Sequence, residues 1–282
     1  MSGKWFSETL YKDFQQSLLI EKILFKGRTD FQDALIFYNK RFGHVLTLDG
    51  VIQTTERDEF CYHEMMVHVP LIAHGAAQKV LIIGGGDGGI LREVLKHPYT
   101  QPTMIELDKT IVEICREHLP TLSDGAFDNK RASIHFMDGV RFVKSTNKKF
   151  DVIIVDSTDP IGPGEVLFTE EFYRNCACCL KERGVLVTQT GVTYMQGEEA
   201  RNTYRRMQNL FADPSLFITQ VPTYGAGYMT FGWGSQSLEL RKTPLETIEE
   251  RLKLLKLDLK YYSAAIHNAS FALPGYIEGL KN

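Results

Sequence analysis

The run Val80–Leu91, VLIIGGGDGGIL, constrains this chain more than any other stretch. Four apolar residues, Val80 to Ile83, predict a strand buried on both faces. Gly84, Gly85 and Gly86 allow a sharp turn, and Ile90 to Leu95 begins an amphipathic helix. Strand, glycine turn and helix N-terminus together let a nucleotide approach bare backbone. Asp87 stands inside that turn. A carboxylate where phosphate-binding loops want positive potential points to a ligand that carries cationic groups.

After the loop, apolar runs at Thr103–Ile105, Ser133–Met137, Val152–Val155 and Val185–Thr188 alternate with helical stretches such as Lys109–His118. That alternation predicts an α/β fold with a parallel sheet and right-handed crossovers. Phe217–Val221 and Tyr228–Trp233 are expected to form an antiparallel pair closing one sheet edge. Thr243–Leu255 reads as a surface helix. Before the loop, Leu18 to Thr55 is a series of short strands, with turns expected at Lys26-Gly27 and Asp49-Gly50. The second is a strong hairpin signal, because Asp-Gly accepts positive φ at both central positions. Thr55–Ala73 is expected to be a helix bent at Pro70, with Phe60, Met66, Val67, Leu71 and Ile72 supplying an apolar stripe. The chain thus divides into an N-terminal β-rich domain, 1–55, and an α/β domain, 56–282.

The net charge of −3 and the absence of Lys/Arg clusters argue against a nucleic-acid partner. No apolar run approaches the ~20 residues of a membrane span. The opening MSGKWFSETLYKDF has no apolar signal core, and the five cysteines are an odd set in a chain this size. Both lead to the expectation of a reduced, cytoplasmic protein.

In open α/β sheets ligands bind beyond the carboxyl ends of the strands. Here those ends carry Gly84–Asp87, then Glu106, then Asp138-Gly139, then Asp156 with Ser157, Thr158 and Asp159, and finally Gln189. Glu106 follows the glycines by about 20 residues, the spacing at which an acid reaches ribose hydroxyls. Any one of these acids could be only a helix cap; acids at successive strand ends make a negative cleft. Such a cleft repels the phosphates of NAD and suits an adenosyl sulfonium. Thr158–Phe168, TDPIGPGEVLF, is long for a connection and is a candidate lid, with Thr169 capping the next helix. His63-Glu64 and His68 nearly mimic a zinc helix motif, but five residues turn the second histidine about 140° from the first, so no metal is expected. His63 can still face the cleft. Cys176, Cys178 and Cys179 are expected in a helix core.

The pieces LDGVIQTTERDEFCYHEMM (Leu48–Met66), VLIIGGGDGGILREV (Val80–Val94), IELD (Ile105–Asp108), MDGVRF (Met137–Phe142), DVIIVDSTDPIGPGEVLF (Asp151–Phe168), PTYGAGYMTF (Pro222–Phe231) and YYSAAIHNASFALP (Tyr261–Pro274) resemble the spermidine synthases, aminopropyltransferases of bacterial type. The resemblance implies a Rossmann-like, methyltransferase-type sheet behind a small N-terminal β-rich domain, and a homodimer. It implies transfer of the aminopropyl group of decarboxylated S-adenosylmethionine, a co-substrate, to putrescine, with no cofactor. Gln32, Glu106, Asp138, Gly139 and Pro163 would hold the adenosine and methylthio part of the donor, and Asp87 its ammonium. Asp156 would be the catalytic acid–base residue. Tyr62, His63, Gln53, Ser157, Thr158, Asp159 and Tyr224, together with Asp87 and Asp156, would line the acceptor channel. A diamine N-methyltransferase on the same fold, an aminopropyltransferase preferring another diamine, and a catalytically silent polyamine-binding protein are the alternatives.

Overall fold

In the structure, a computed structural model that describes residues 3–158 and 162–282, and of 162 and 163 the backbone alone, the glycine run lies at the end of an inner strand of a seven-stranded sheet. Two antiparallel units precede it. Strands β1 (Lys4–Ser7) and β2 (Ser17–Ile20) pair with each other. Strands β3 (Lys22–Arg28), β4 (Asp33–Asn39), β5 (Gly43–Leu48) and β6 (Val51–Thr55) follow as a meander. Asp49 and Gly50, with φ of 49° and 80°, make the β5–β6 turn. The turn expected at Lys26-Gly27 is absent: both residues lie within β3, opposite Leu35 and Ala34. The chain turns instead at Thr29–Gln32, where the Thr29 hydroxyl accepts from the N–H groups of Phe31 and Gln32. A glycine in an edge strand is compatible with pairing, so its presence alone does not mark a turn.

Helix α1 (Phe60–His74) begins at Phe60 rather than near Thr55, and it runs on through Pro70. Every residue except Phe60 is buried, so the expected stripe is burial on all sides. That is tolerated because the polar members are partnered over long distances. Glu64 accepts the N–H groups of Lys260, Tyr261 and Tyr262, and His68 bridges His97 and Glu93.

The sheet then builds as β7 (Lys79–Gly84), α2 (Gly89–Lys96), β8 (Gln101–Glu106), α3 (Lys109–His118), a short α4 (Pro120–Ser123), β9 (Ser133–Phe136), α5 (Gly139–Ser145), β10 (Phe150–Asp156), α6 (Glu170–Cys179), β11 (Leu180–Val192), α7 (Thr193–Gln208), β12 (Asp213–Thr219), β13 (Met229–Ser235) and α8 (Leu245–Leu255). Its order is β12-β13-β11-β10-β7-β8-β9, parallel except for β13 against both neighbours. This is the expected mixed α/β fold with a β-rich N-terminal unit. The antiparallel β12–β13 pair closes one edge. Helix α7 is strongly polar and gave no sequence signal. Burial on both sheet faces explains the apolar run in β7. Val80 and Ile82 join a core with Met65, Ile90 and Ile111, while Leu81 and Ile83 join one with Val143, Phe172 and Met207. Each such side chain contributes about 1.5–3 kcal/mol by leaving water. Cys176 and Cys179 belong to the second core, but Cys178 is exposed, against expectation.

Strand β7 has β8 on one side and β10 on the other, so the order of strands reverses there and opens a crevice at their carboxyl ends. Gly84 stands opposite Asp156 in that register. Its φ is 83°, and a Cβ would lie 1.9 Å from the Asp156 carbonyl oxygen, which accepts from Gly85 N–H at 3.1 Å. Only glycine allows the two strand ends to meet this closely.

Candidate active site

The crevice holds a cavity of about 380 Å³, of a size suited to a small organic ligand. One wall is the glycine turn and the ends of β8 and β10; the other is β5, β6 and the β1–β2 loop. Asp87, Glu106, Asp138 and Asp156 line it from the strand ends, joined by Glu8, Asp58, Glu59 and Asp108. Among the described lining residues there is no Lys or Arg. The cleft is acidic.

Two hydrogen-bonded groups face each other across the switch point. In the first, Tyr62 donates its hydroxyl proton to Asp156 Oδ1 at 2.7 Å. Burial, then the nearby Asp87 charge, raise the Asp156 carboxyl to about 6, against the lowering influence of His63 and Tyr62. In the second, His63 Nε2 is 3.4 Å from Asp87 Oδ2, and His63 Nδ1 is 2.5 Å from Glu59 Oε2. Burial alone would favour neutral His63, but Asp87 and Glu59 outweigh it and raise the imidazole to about 10. Burial likewise opposes ionised Asp87; His63, the Gly89 N–H and Arg92 more than offset it and hold this carboxyl below its ordinary range. Gly89 N–H donates to Asp87 Oδ1 at 2.7 Å, so two of the carboxylate's lone-pair sites remain for a ligand. His68 faces Glu93 and His97 instead and is not on the cavity lining, so the two histidines of the near-motif do not converge on one site.

Most of the remaining candidates lie on the cavity lining as well. Glu106, Gln32, Asp138 and Gly139 lie on its lining. Glu106 accepts from Asp108 N–H at 2.9 Å, and burial raises its carboxyl to about 7. Asp138 does cap α5, accepting from Val140 N–H, and one oxygen is left beside Arg141 at 3.7 Å. Gln53 and Tyr224 line it too, and Tyr224 donates to the Gln53 carbonyl at 2.6 Å. Ser157 and Thr158 are also on the lining, their carbonyls held by Gln189 Nε2 at 3.2 and 3.1 Å. Gln189 lies within β11 rather than at its end. The Ser157 hydroxyl is buried with no hydrogen-bond partner among the described residues. Asp159 and the Pro163 side chain lie outside the described residues; of the expected lid, Gly164, Val166 and Leu167 reach the cavity.

Sequence reasoning missed Glu59, Arg92 and Asp58. Asp58 accepts from Thr55 Oγ1 and from both the N–H and the hydroxyl of Thr223, which ties the start of α1 to the Tyr224 loop. None of the three stands at a strand end, and the bonds that bring them to the site cross the chain, from Arg92 to Glu59 and from Asp58 to Thr223.

The profile of the spermine/spermidine synthase domain matches residues 59–244, and that of the spermidine synthase tetramerisation domain residues 4–56. The chain belongs to the spermine/spermidine synthase family. It is an aminopropyltransferase. Polyamine aminopropyltransferase 1 of Pseudomonas aeruginosa is 54% identical over 273 residues, covering 96% of each chain. Polyamine aminopropyltransferase of a Ruegeria species is 52% identical over 277 residues, covering 98% of each. A crystal structure of spermidine synthase in complex with the transition-state analogue AdoDATO superposes with a TM-score of 0.93 at 37% identity, over 99% of this chain and 94% of the other. Spermidine synthase from Thermotoga maritima superposes at 0.90 and 36% identity, with the same coverage. No helix among the described residues is long and apolar enough to cross a membrane.

Proposed function

We propose that the cavity binds decarboxylated S-adenosylmethionine and putrescine together and yields spermidine and methylthioadenosine. The observation that carries this reading is the acid lining without Lys or Arg. Both substrates are cations: one a sulfonium with an ammonium arm, the other a diamine. Glu106, Asp138, Gly139, Gln32 and Pro163 hold the adenosine and methylthio part, and Asp87 takes the arm's ammonium. Tyr62, His63, Gln53, Ser157, Thr158 and Tyr224 line the acceptor side, and the resemblance gives Asp159 a part in acceptor binding. The protein works without a cofactor, as a cytoplasmic homodimer, with its domain boundary at residues 55 and 56.

The chemistry follows from the nucleophile. A sulfonium is already a good leaving group. An alkylammonium with a lysine-like pKa of ~10.4 is neutral only about once in 2,500 molecules at pH 7, which costs roughly 4.6 kcal/mol before reaction. Asp156 accepts the proton that the attacking nitrogen sheds as its lone pair attacks the carbon next to sulfur. At an ordinary ~3.9 this carboxylate would be a poor base. Raised to about 6, it is closer to the working pH yet still largely ionised at neutrality. Positioning of the amine in line with that carbon supplies the rest.

Incubation of the protein with both substrates, followed by product analysis, tests the reading. Spermidine and methylthioadenosine in equal amounts are expected. S-adenosylhomocysteine and a methylated diamine from intact S-adenosylmethionine would instead establish an N-methyltransferase, and binding without turnover a silent polyamine-binding protein.

A further inference from the structure

We propose that Glu59 and Arg92 are positioning residues for the reaction, holding the His63 imidazole with its Nε2–H directed at Asp87. The proposal rests on the reading of Asp87 as a seat for the donor ammonium.

Glu59 Oε2 is shared by two donors, His63 Nδ1 at 2.5 Å and Arg92 Nη2 at 2.8 Å. Arg92 is itself fixed from two further directions, by Glu93 Oε1 at 2.8 Å and by the Leu122 carbonyl at 2.6 Å. The guanidinium fork thereby sets Glu59, and Glu59 sets the imidazole. A third constraint comes from Gly89, where a Cβ would lie 2.2 Å from the His63 ring, so the imidazole is seated directly on the first turn of α2. Along this line charges alternate: Glu93, Arg92, Glu59, His63, Asp87. His63 is only 3% exposed, so water does not substitute for any of these partners.

The consequence reaches the reacting carboxylate. The groups facing His63 are Glu59 before α1, Asp87 in the glycine turn, Arg92 on α2, Tyr62 beside it on α1 and Asp156 at the end of β10. Asp87 and Asp156 are close enough to disfavour each other's ionised forms. Two such carboxylates titrate as a pair, and without a cation beside them one keeps a proton near neutrality. The imidazolium lets both ionise, leaving Asp87 free for the donor ammonium and Asp156 free to accept a proton. The elevated His63 basicity agrees with that arrangement.

Glu59→Gln keeps an acceptor for Nδ1–H but removes the charge. The acid limb of kcat/KM for the donor, which reports the free enzyme, is expected to move up by about one pH unit. Glu59→Asp is expected to restore it in part. A merely structural role would lower activity evenly across pH. Nitrogen-15 spectra of the wild-type imidazoles give an independent readout that needs no variant to fold. Both His63 nitrogens are expected to carry protons at pH 8. An unmoved acid limb in folded Glu59→Gln, or a neutral His63 at pH 8, overturns the proposal. Failure of the wild type to form methylthioadenosine would count against the reading of the site instead, because the imidazole spectra do not depend on turnover.

Discussion

Tyr62→Phe removes one atom from the site, and its effect follows from a single contact. The Tyr62 hydroxyl donates to Asp156 Oδ1 at 2.7 Å from a buried position. A hydrogen bond to a charged acceptor contributes about 1.5–3 kcal/mol, equivalent to roughly 1–2 pKa units. The bond favours the ionised carboxylate, so its loss raises Asp156 from about 6 toward roughly 7–8. A base must be ionised to act, and the deficit therefore appears as pH falls. At pH 6 the ionised fraction drops from about one half to below one tenth; at pH 9 it is nearly complete in both proteins. The assay is kcat/KM for putrescine at saturating donor, expressed as the ratio of variant to wild type from pH 5.5 to 9.5. Taking the ratio cancels the titration of the free amine. The ratio is expected to rise by roughly five- to fifty-fold from pH 6 to 9. A ratio independent of pH would refute the argument, because loss of positioning alone scales activity by a constant.

Three other outcomes follow. Intact S-adenosylmethionine carries a carboxylate that ionised Asp87 repels, so calorimetry should find it bound at least about ten-fold more weakly than the decarboxylated donor; equal affinities would sink this account of selectivity. For the wild type, kcat/KM for putrescine should climb steadily from pH 7 to 9 as the neutral amine becomes more abundant, and a flat profile would contradict it. Gly84→Ala forces a Cβ to within 1.9 Å of a backbone oxygen at a φ of 83°. Urea unfolding should register a loss of about 3 kcal/mol or more, and a loss below about 1 kcal/mol would mean the strand ends part easily.

Much of the site was legible because of one geometric rule. Parallel strands end on the same side, so the acids after β7, β8, β9 and β10 had to converge wherever the order reversed. Gly84 opposite Asp156 is that convergence at a single pair of residues. The electrostatics were not legible. Whether Asp156 is a weak or a useful base depends on its burial and its distance from Asp87, and neither follows from spacing. Glu59 and Arg92 are 33 positions apart and meet only because α1 and α2 pack side by side. The misplaced turn at Lys26-Gly27 has a related cause. Glycine there reports local freedom, whereas pairing with β4 decides the conformation. Helix α1 likewise hid its full burial, since its polar side chains are satisfied by residues as distant as Tyr262.

The role of Asp156 as the proton acceptor is tested most directly by Asp156→Asn, with binding and turnover measured on the same preparation. The amide keeps the shape of the carboxyl and can still meet Tyr62, so calorimetry should find donor affinity within about three-fold of wild type. Turnover should fall by roughly 10²–10⁴ at neutral pH, the usual worth of a positioned base. Turnover within ten-fold of wild type would contradict the account, because the attacking amine would then be losing its proton elsewhere.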